Sequence, residues 1–272
     1  MLRAFQSILA VNRRAAASAA THPVEAVHEF RKSIRRARAT VELLRPALGG
    51  RAADGLVLAL KKAFAQTGSL RDADILLAAL ASLGEPDITT ESLEAALKAD
   101  LADRPGPAQT AALLRGGAAG LRPLPGVLDV VLPADYSLGD LHKGLARTQR
   151  RARQAHSRAL ESYNQGNFHR WRRRMKDLRY QVELLASGGS KALRHMEKEL
   201  GRLAQDIGDT TDLFVLGREV EARATGLPDA AALAERIRRV SEDAARQLLS
   251  RGKELLAQAP RRFADRVLSE RG

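Results

Sequence analysis

Residues 27–44 read VHEFRKSIRRARATVELL, and residues 168–185 read FHRWRRRMKDLRYQVELL. The two stretches align without a gap, and in each one apolar residues recur three and four positions apart, which is the period of one helix face. The identical pairs are His28/His169, Arg31/Arg172, Arg38/Arg179, Val41/Val182, Glu42/Glu183, Leu43/Leu184 and Leu44/Leu185. The chain is therefore predicted to contain two copies of one basic, amphipathic helix.

A second shared element follows each of these helices. AQTGSLRDADILL in the first copy matches AQDIGDTTDLFVL in the second, aligned on Gly68/Gly208 and Asp72/Asp212 with a one-residue slip upstream. The two motifs keep their order and are 141 and 140 residues apart, which predicts an internal duplication. An acid shortly after a glycine is most often a helix cap or a partner of the helix dipole, so Asp72 and Asp212 are predicted to have that structural role.

Composition favours an all-α fold, because aromatic residues make up only 4% of the 272 residues and no stretch alternates as a strand would.

Residues 104–135 hold five prolines and five glycines, so a linker without a long helix is predicted there. It divides the chain into an N-terminal helical half, 1–103, and a C-terminal helical half, 136–272. Residues 1–20 have the Arg-, Ser- and Ala-rich composition of a transit peptide, but Leu2, Phe5, Leu9 and Asn12 are about one turn apart and favour a first helix.

The charge of the chain indicates a polyanionic partner. The 45 lysines and arginines against 32 acidic residues give a formal net charge of +13, and so large an excess repels itself. The chain has no cysteine, which excludes disulfides, thiolate metal sites and cysteine nucleophiles. No run of 18 apolar residues exists, so a membrane span is not expected.

On a helical wheel, the basic residues of each copy form a stripe beside the apolar face. The two stripes consist of His28, Arg31, Lys32, Arg35, Arg38, His169, Arg172, Arg173, Lys176 and Arg179. A solvated face usually mixes charges, because like charges three or four positions apart destabilise a helix by about 0.2–0.5 kcal/mol per pair. A bound anion would relieve this repulsion, and guanidinium and ammonium groups suit phosphate. The two histidines are either phosphate donors or satisfied structural residues. The third face, with Arg36, Arg170 and Arg174, is expected to contribute little.

The sequence does not contain the residues of a catalytic or metal site. No P-loop or GxSxG motif is present, the other histidines lack ligand spacing, and neither repeated histidine has an acid three or four residues further on. The chain is therefore predicted to be non-catalytic, without a cofactor or metal.

The pair of motifs resembles the conserved-histidine α-helical domain (CHAD) family. The resemblance rests on VHEFRKSIRRARATVELL with GSLRDADIL and on FHRWRRRMKDLRYQVELL with GDTTDLFVL, and it extends over about residues 1 to 265. It implies two helical-bundle halves related by a pseudo-twofold axis, with the basic stripes lining a central cleft. It also implies non-catalytic binding of inorganic polyphosphate, in the stand-alone form of the domain. The expected location is the cytoplasm, at polyphosphate granules.

Three other functions stay open on the residues alone. RNA or DNA binding usually requires aromatic residues among the basic ones, and only Trp171 and Tyr180 lie near the second stripe. An adaptor that docks on an acidic protein would not discriminate for phosphate chains. An enzyme acting on phosphate esters would need a metal site that the sequence does not show.

Overall fold

The computed structural model describes residues 1–68, 72–84, 86–102, 105–186 and 189–271. All regular structure in these ranges is helical, with no strand, which confirms the predicted all-α class. The α-helices are α1 (Leu2–Ser18), α2 (Pro23–Leu48), α3 (Gly50–Ala65), α4 (Asp72–Ala81), α5 (Ile88–Ala102), α6 (Pro107–Leu121), α7 (Leu124–Val131), α8 (Leu138–Glu161), α9 (Gln165–Leu185), α10 (Lys191–Ala222), α11 (Ala230–Leu255) and α12 (Pro260–Ser269). A 3₁₀ turn, Ala224–Gly226, precedes α11.

Local sequence explains where the central helices begin and end. Ser137 and Asp140 form a reciprocal capping box at the start of α8, and Asn164 caps α9 through its side chain. Helix α2 starts with Pro23, whose fixed φ suits the first turn. It ends before Gly49, whose φ of 76° disfavours other residue types.

The two repeated helices lie at the centre of the molecule and each packs against the helix that precedes it. Helices α1 and α2 form one helical hairpin, and α8 and α9 form another. Helix α2 also packs against α8 and α9, which joins the two hairpins. The prediction of a first helix is confirmed, since Phe5, Leu9 and Asn12 of α1 are all buried.

The apolar core consists of two clusters. The larger one contains Phe30 and Leu43 of α2 together with Phe168 and Trp171 of α9, so it passes through both predicted halves. The smaller one joins α4 and α5 to α10 and α11 and contains Leu93 of α5 and Leu216 of α10. The division at 1–103 and 136–272 and the pseudo-twofold axis stay predictions, and residues 103 and 104 lie outside the described residues.

The predicted linker 104–135 is wrong over most of its length, because α6 and α7 occupy it. Two of its prolines stand where helices begin: Pro107 is in the first turn of α6, and Pro123 precedes α7. Gly117 lies inside α6 against the ring of Phe30, and a Cβ there would come 2.7 Å from Phe30 Cζ. The glycine is therefore a packing requirement of the helix rather than its end.

None of the described helices has the length and apolar character that crossing a lipid bilayer would require.

Candidate anion-binding site

The stripe of α2 lies beside α3 and the turn that follows it. Arg31 donates from Nη1 to the carbonyl of Thr67 at 2.7 Å and to its hydroxyl at 3.0 Å. Its guanidinium also lies 4.0 Å from the centre of the Phe64 ring. Lys32 pairs with Glu29 at 3.1 Å, and His28 is half-exposed. The first stripe thus combines an arginine held in place with more accessible groups next to it.

The stripe of α9 lies against α10, which holds two of its arginines in the same way. Arg179 Nε donates to Glu197 at 2.8 Å, and its guanidinium packs on Gly201. Arg172 pairs with Asp212 at 3.4 Å and packs on Gly208. At both places a glycine leaves room for the guanidinium and an acid four residues away on the same helix face orients it.

The predicted capping role of Asp212 is wrong. Asp212 lies within α10, twenty-one residues after the start of this helix at Lys191, and it interacts with Arg172. A Cβ at Gly208 would come 2.7 Å from Arg172 Nη2, so this Gly-x-x-x-Asp motif accommodates an arginine instead of starting a helix. In the first copy α4 does begin at Asp72, but the side chain of Asp72 lies outside the described residues.

Helices α2 and α9 cross in the second half of each stripe. Gln181 donates from Nε2 to the carbonyl of Ala39 at 3.0 Å, and Arg38 pairs with the buried Asp177 at 3.1 Å. Arg36 of α2 pairs with Glu183 of α9. Arg36 precedes Arg38 on α2, but its partner Glu183 follows Asp177 on α9, so the two helices run in opposite directions where they cross. Arg38 of the first stripe therefore lies next to Asp177, one helical turn from Arg173 of the second stripe.

Electrostatics shows that cations of both helices converge where the stripes meet. Burial lowers the pKa of Arg173, and the charges of Arg38, Arg174 and Arg170 lower it further against the opposing effect of Asp177. The pKa of His169 is lowered by burial and then by Arg173, Arg172 and Lys176. Among the described residues, no carboxylate forms an ion pair with Arg173. The junction is thus a region of concentrated positive charge.

Comparison with known proteins identifies the family. The CHAD domain family matches the chain over residues 2–221. The chain belongs to the CHAD domain family. CHAD domains are associated in general with polyphosphate binding and not with catalysis.

A solved CHAD domain has the same fold. The crystal structure of the CHAD domain from the plant Ricinus communis matches this chain with a TM-score of 0.60 at 20% sequence identity. The match covers 97% of this chain and 89% of the plant chain. A comparison with curated proteins gives no match.

The CHAD domain also has a second group of arginines that the repeat pattern did not single out. Glu42 of α2 accepts hydrogen bonds from Arg45 at 2.8 Å, from Arg147 at 2.8 Å and from Arg151 at 3.3 Å, the last two belonging to α8. Burial alone would raise the pKa of Glu42, but the hydrogen bond from Arg45 and the three positive charges outweigh it and hold that pKa low. The only sequence signal for this contact is the basic run of α8, whose partner lies over one hundred residues away.

The aromatic residues near the second stripe are not available for stacking on bases. Trp171 is completely buried between Phe168 and His156, and Tyr180 is buried as well. In the part of the chain that the structure describes, no group of three His, Asp or Glu side chains could hold a metal ion.

Proposed function

We propose that this CHAD domain binds inorganic polyphosphate, without catalysis, along a groove lined by the stripes of α2 and α9. The observation that carries the proposal is the approach of cations from both helices: Arg38 of α2 reaches Asp177 of α9 at 3.1 Å, one helical turn from Arg173, and its charge helps to lower the pKa of Arg173. A polymer of phosphates supplies negative charge at regular intervals, which suits cations arranged in a line along two crossing helices.

The held arginines support the proposal through preorganisation. Arg31, Arg172 and Arg179 have their positions set by Thr67, Asp212 and Glu197, so less side-chain entropy is lost when an anion binds. A guanidinium has five N–H donors, so an arginine held by one partner retains donors for a phosphate oxygen. The more accessible Lys32 and Arg173 then supply charge at the surface of the same groove.

The burial of Trp171 and Tyr180 favours a ligand without bases over RNA or DNA. We expect long-chain polyphosphate to compete effectively against RNA for the protein at matched ionic strength. Affinity should fall steeply with salt, because each ion contact releases counterions from the polyanion. On DNA the logarithm of the binding constant falls against the logarithm of the salt concentration with a slope of about −0.9 per phosphate neutralised. Equal affinity for RNA, or an affinity that hardly changes with salt, would contradict the proposal.

A second test asks whether one ligand contacts both stripes. The double variants Lys32→Ala with Arg35→Ala, and Arg173→Ala with Lys176→Ala, should each weaken polyphosphate binding by about tenfold or more, because losing one of two linked half-sites removes the avidity gain. Arg239→Ala with Arg246→Ala, on the exposed surface of α11, removes the same formal charge and should have little effect. If this control loses as much affinity as the two stripe variants while all three stay folded, the proposal of a groove is contradicted.

Polyphosphate binding would place the protein at polyphosphate granules in the cytoplasm. Imaging a fluorescent fusion in cells with and without polyphosphate tests this, and an unchanged distribution would contradict it.

A further inference from the structure

Helix α8 carries a line of cations outside the proposed groove. At about 100° per residue, Arg147, Arg151 and Arg158 fall within about 40° of one another on the helix. Arg147 and Arg158 are three turns apart, about 16 Å at a rise of about 1.5 Å per residue. Arg158 is exposed, and Arg147 and Arg151 are half-buried. The line therefore covers about half of the 24-residue helix, and its end at Arg158 is exposed.

Helix α9 runs antiparallel beside it and adds two more arginines. The hairpin is closed at its loop end by Asn167, which donates to the carbonyl of Arg158 at 3.1 Å. Arg151 and Arg174 are close enough that Arg174 lowers the pKa of Arg151, second only to burial. We call this surface the hairpin face. It consists of Arg147, Arg151, Arg158, Arg170 and Arg174.

The few acids around the hairpin face leave it positively charged. Glu42 is shared by Arg147 and Arg151, and Arg174 has Asp177 at 3.4 Å. In the described ranges, no carboxylate pairs with Arg158 or Arg170. On the exposed face of α11, by contrast, cations are paired with acids of the same helix.

Helix α11 shows that ordinary arrangement. Arg238 is paired with both Glu235 and Glu242, each at 2.7 Å, and Arg246 is paired with Asp243. Each of these cations has an acid three or four residues away, which is the arrangement that stabilises an isolated helix. On the hairpin face two arginines share the single carboxylate of Glu42, and in the described ranges Arg158 and Arg170 form no ion pair, so positive charge is in excess there.

Arg173 joins the hairpin face to the groove. On the wheel of α9 it lies between Lys176, in the stripe, and Arg170, on the hairpin face. Its electrostatic neighbours come from both sides, Arg38 from the groove and Arg170 and Arg174 from the hairpin face. A continuous band of cations thus runs from the groove across α9 to α8.

We propose that the hairpin face is a second binding surface for phosphate polymers, and that a long chain leaves the groove over Arg173 and continues along Arg174, Arg151 and Arg158. This inference rests on the proposed function and extends it to chain length. Long polyphosphate occupies both surfaces, whereas tripolyphosphate occupies the groove alone. It replaces the expectation from the sequence that Arg170 and Arg174 contribute little.

The test compares two triple variants that remove the same charge. The hairpin variant carries Arg151→Gln, Arg158→Gln and Arg170→Gln. The control carries Arg3→Gln, Arg13→Gln and Arg14→Gln, which are exposed arginines of α1 in the other hairpin. Glu42 keeps Arg45 and Arg147 in the hairpin variant, so the fold should persist, and circular dichroism checks this.

For long-chain polyphosphate, the hairpin variant should lose about tenfold or more in affinity. The slope of its log binding constant against log salt concentration should become shallower by about 2 to 3, because three phosphate contacts are lost. For tripolyphosphate it should bind like wild type, and the control should bind like wild type with both ligands. Equal losses in the hairpin variant and the control would overturn the inference.

Three further outcomes separate the inference from the proposed function. If tripolyphosphate loses as much affinity as the long chain, the hairpin arginines belong to a single site and the extension is wrong. If the hairpin variant weakens only RNA binding, the surface recognises nucleic acid and the inference is wrong. If wild type binds neither phosphate ligand, the proposed function itself fails.

Discussion

The two helical hairpins of the molecule, α1–α2 and α8–α9, both contribute to the larger apolar core and differ at the positions that flank it. At the aligned positions Ser33 and Arg174, the first hairpin has a buried serine that donates to Asn12, and the second has a half-buried arginine beside Arg151. Glu29 likewise aligns with Arg170. The apolar residues that pack each hairpin have the same character in both, whereas at these flanking positions a neutral or acidic residue of the first hairpin stands opposite an arginine of the second.

The hairpins also differ in what they touch. Helix α8 packs across α2, where Gly144 meets the backbone of Leu43 and Arg147 reaches Glu42. Helix α1 instead packs against α6 and α7, and within the described residues it makes no comparable contact with α9. Helix α8 therefore contributes both to the central crossing and to the hairpin face, whereas α1 packs mainly against α2, α6 and α7.

The largest expected effect comes from the contact between α8 and α2. A Cβ at Gly144 would come 2.0 Å from the carbonyl oxygen of Leu43, and backbone on both sides cannot yield without separating the helices. Gly144→Ala should reduce the free energy of unfolding by about 3 kcal/mol or more. Denaturant unfolding measures this.

Gly55→Ala is the matched control, since Gly55 lies within α3 and has no atom within 4 Å of a Cβ. It should be neutral or stabilise the protein by up to about 1 kcal/mol. A Gly144→Ala protein as stable as wild type would show that α8 does not depend on this close approach.

A second loss of stability, of intermediate size, should distinguish the aligned positions Ser33 and Arg174 of the two hairpins. Ser33→Ala removes the donor to Asn12, whose Nδ2 already lacks a partner among the described residues. Leaving the buried amide unpaired should cost about 1–3 kcal/mol in unfolding free energy. Arg174→Ala at the aligned position should change stability by about 0.5 kcal/mol at most. Equal losses would mean that the two positions do not differ as the structure indicates.

The smallest effect is a pH dependence confined to the second hairpin. Burial lowers the pKa of His156, although its hydrogen bond to the carbonyl of Leu249, 2.8 Å away, opposes the shift. The unfolded chain then takes up a proton near the ordinary pKa of 6.5 before the folded protein does, so stability should fall as pH decreases below about 6.5.

His156→Gln keeps an amide donor towards Leu249 and cannot titrate. Its stability should therefore be lower at neutral pH, through loss of the contact with Trp171, and should change less between pH 7 and pH 5. Parallel stability curves for the variant and wild type would contradict a buried neutral histidine.

The sequence predicted the helices and the cations but not how they are partnered. Helical periodicity correctly located α2 and α9, because an apolar face must be buried in any fold that these segments adopt. The glycine-rich stretch around Gly117 misled the prediction because a glycine that ends a helix and a glycine that admits an aromatic ring look the same in a sequence. Asp212 misled it for a similar reason, since its partner Arg172 lies forty residues earlier.

By itself, then, the sequence determined the helical class, the two basic stripes and the excess of positive charge, all of which depend on residue type and short spacing. Only the tertiary structure decided that Arg172 is held by α10, that Arg38 pairs with Asp177 near Arg173, and that Arg151 lies near Arg174. Each of these contacts joins different helices, and its electrostatic strength depends on distance and burial, which residue order along the chain does not specify.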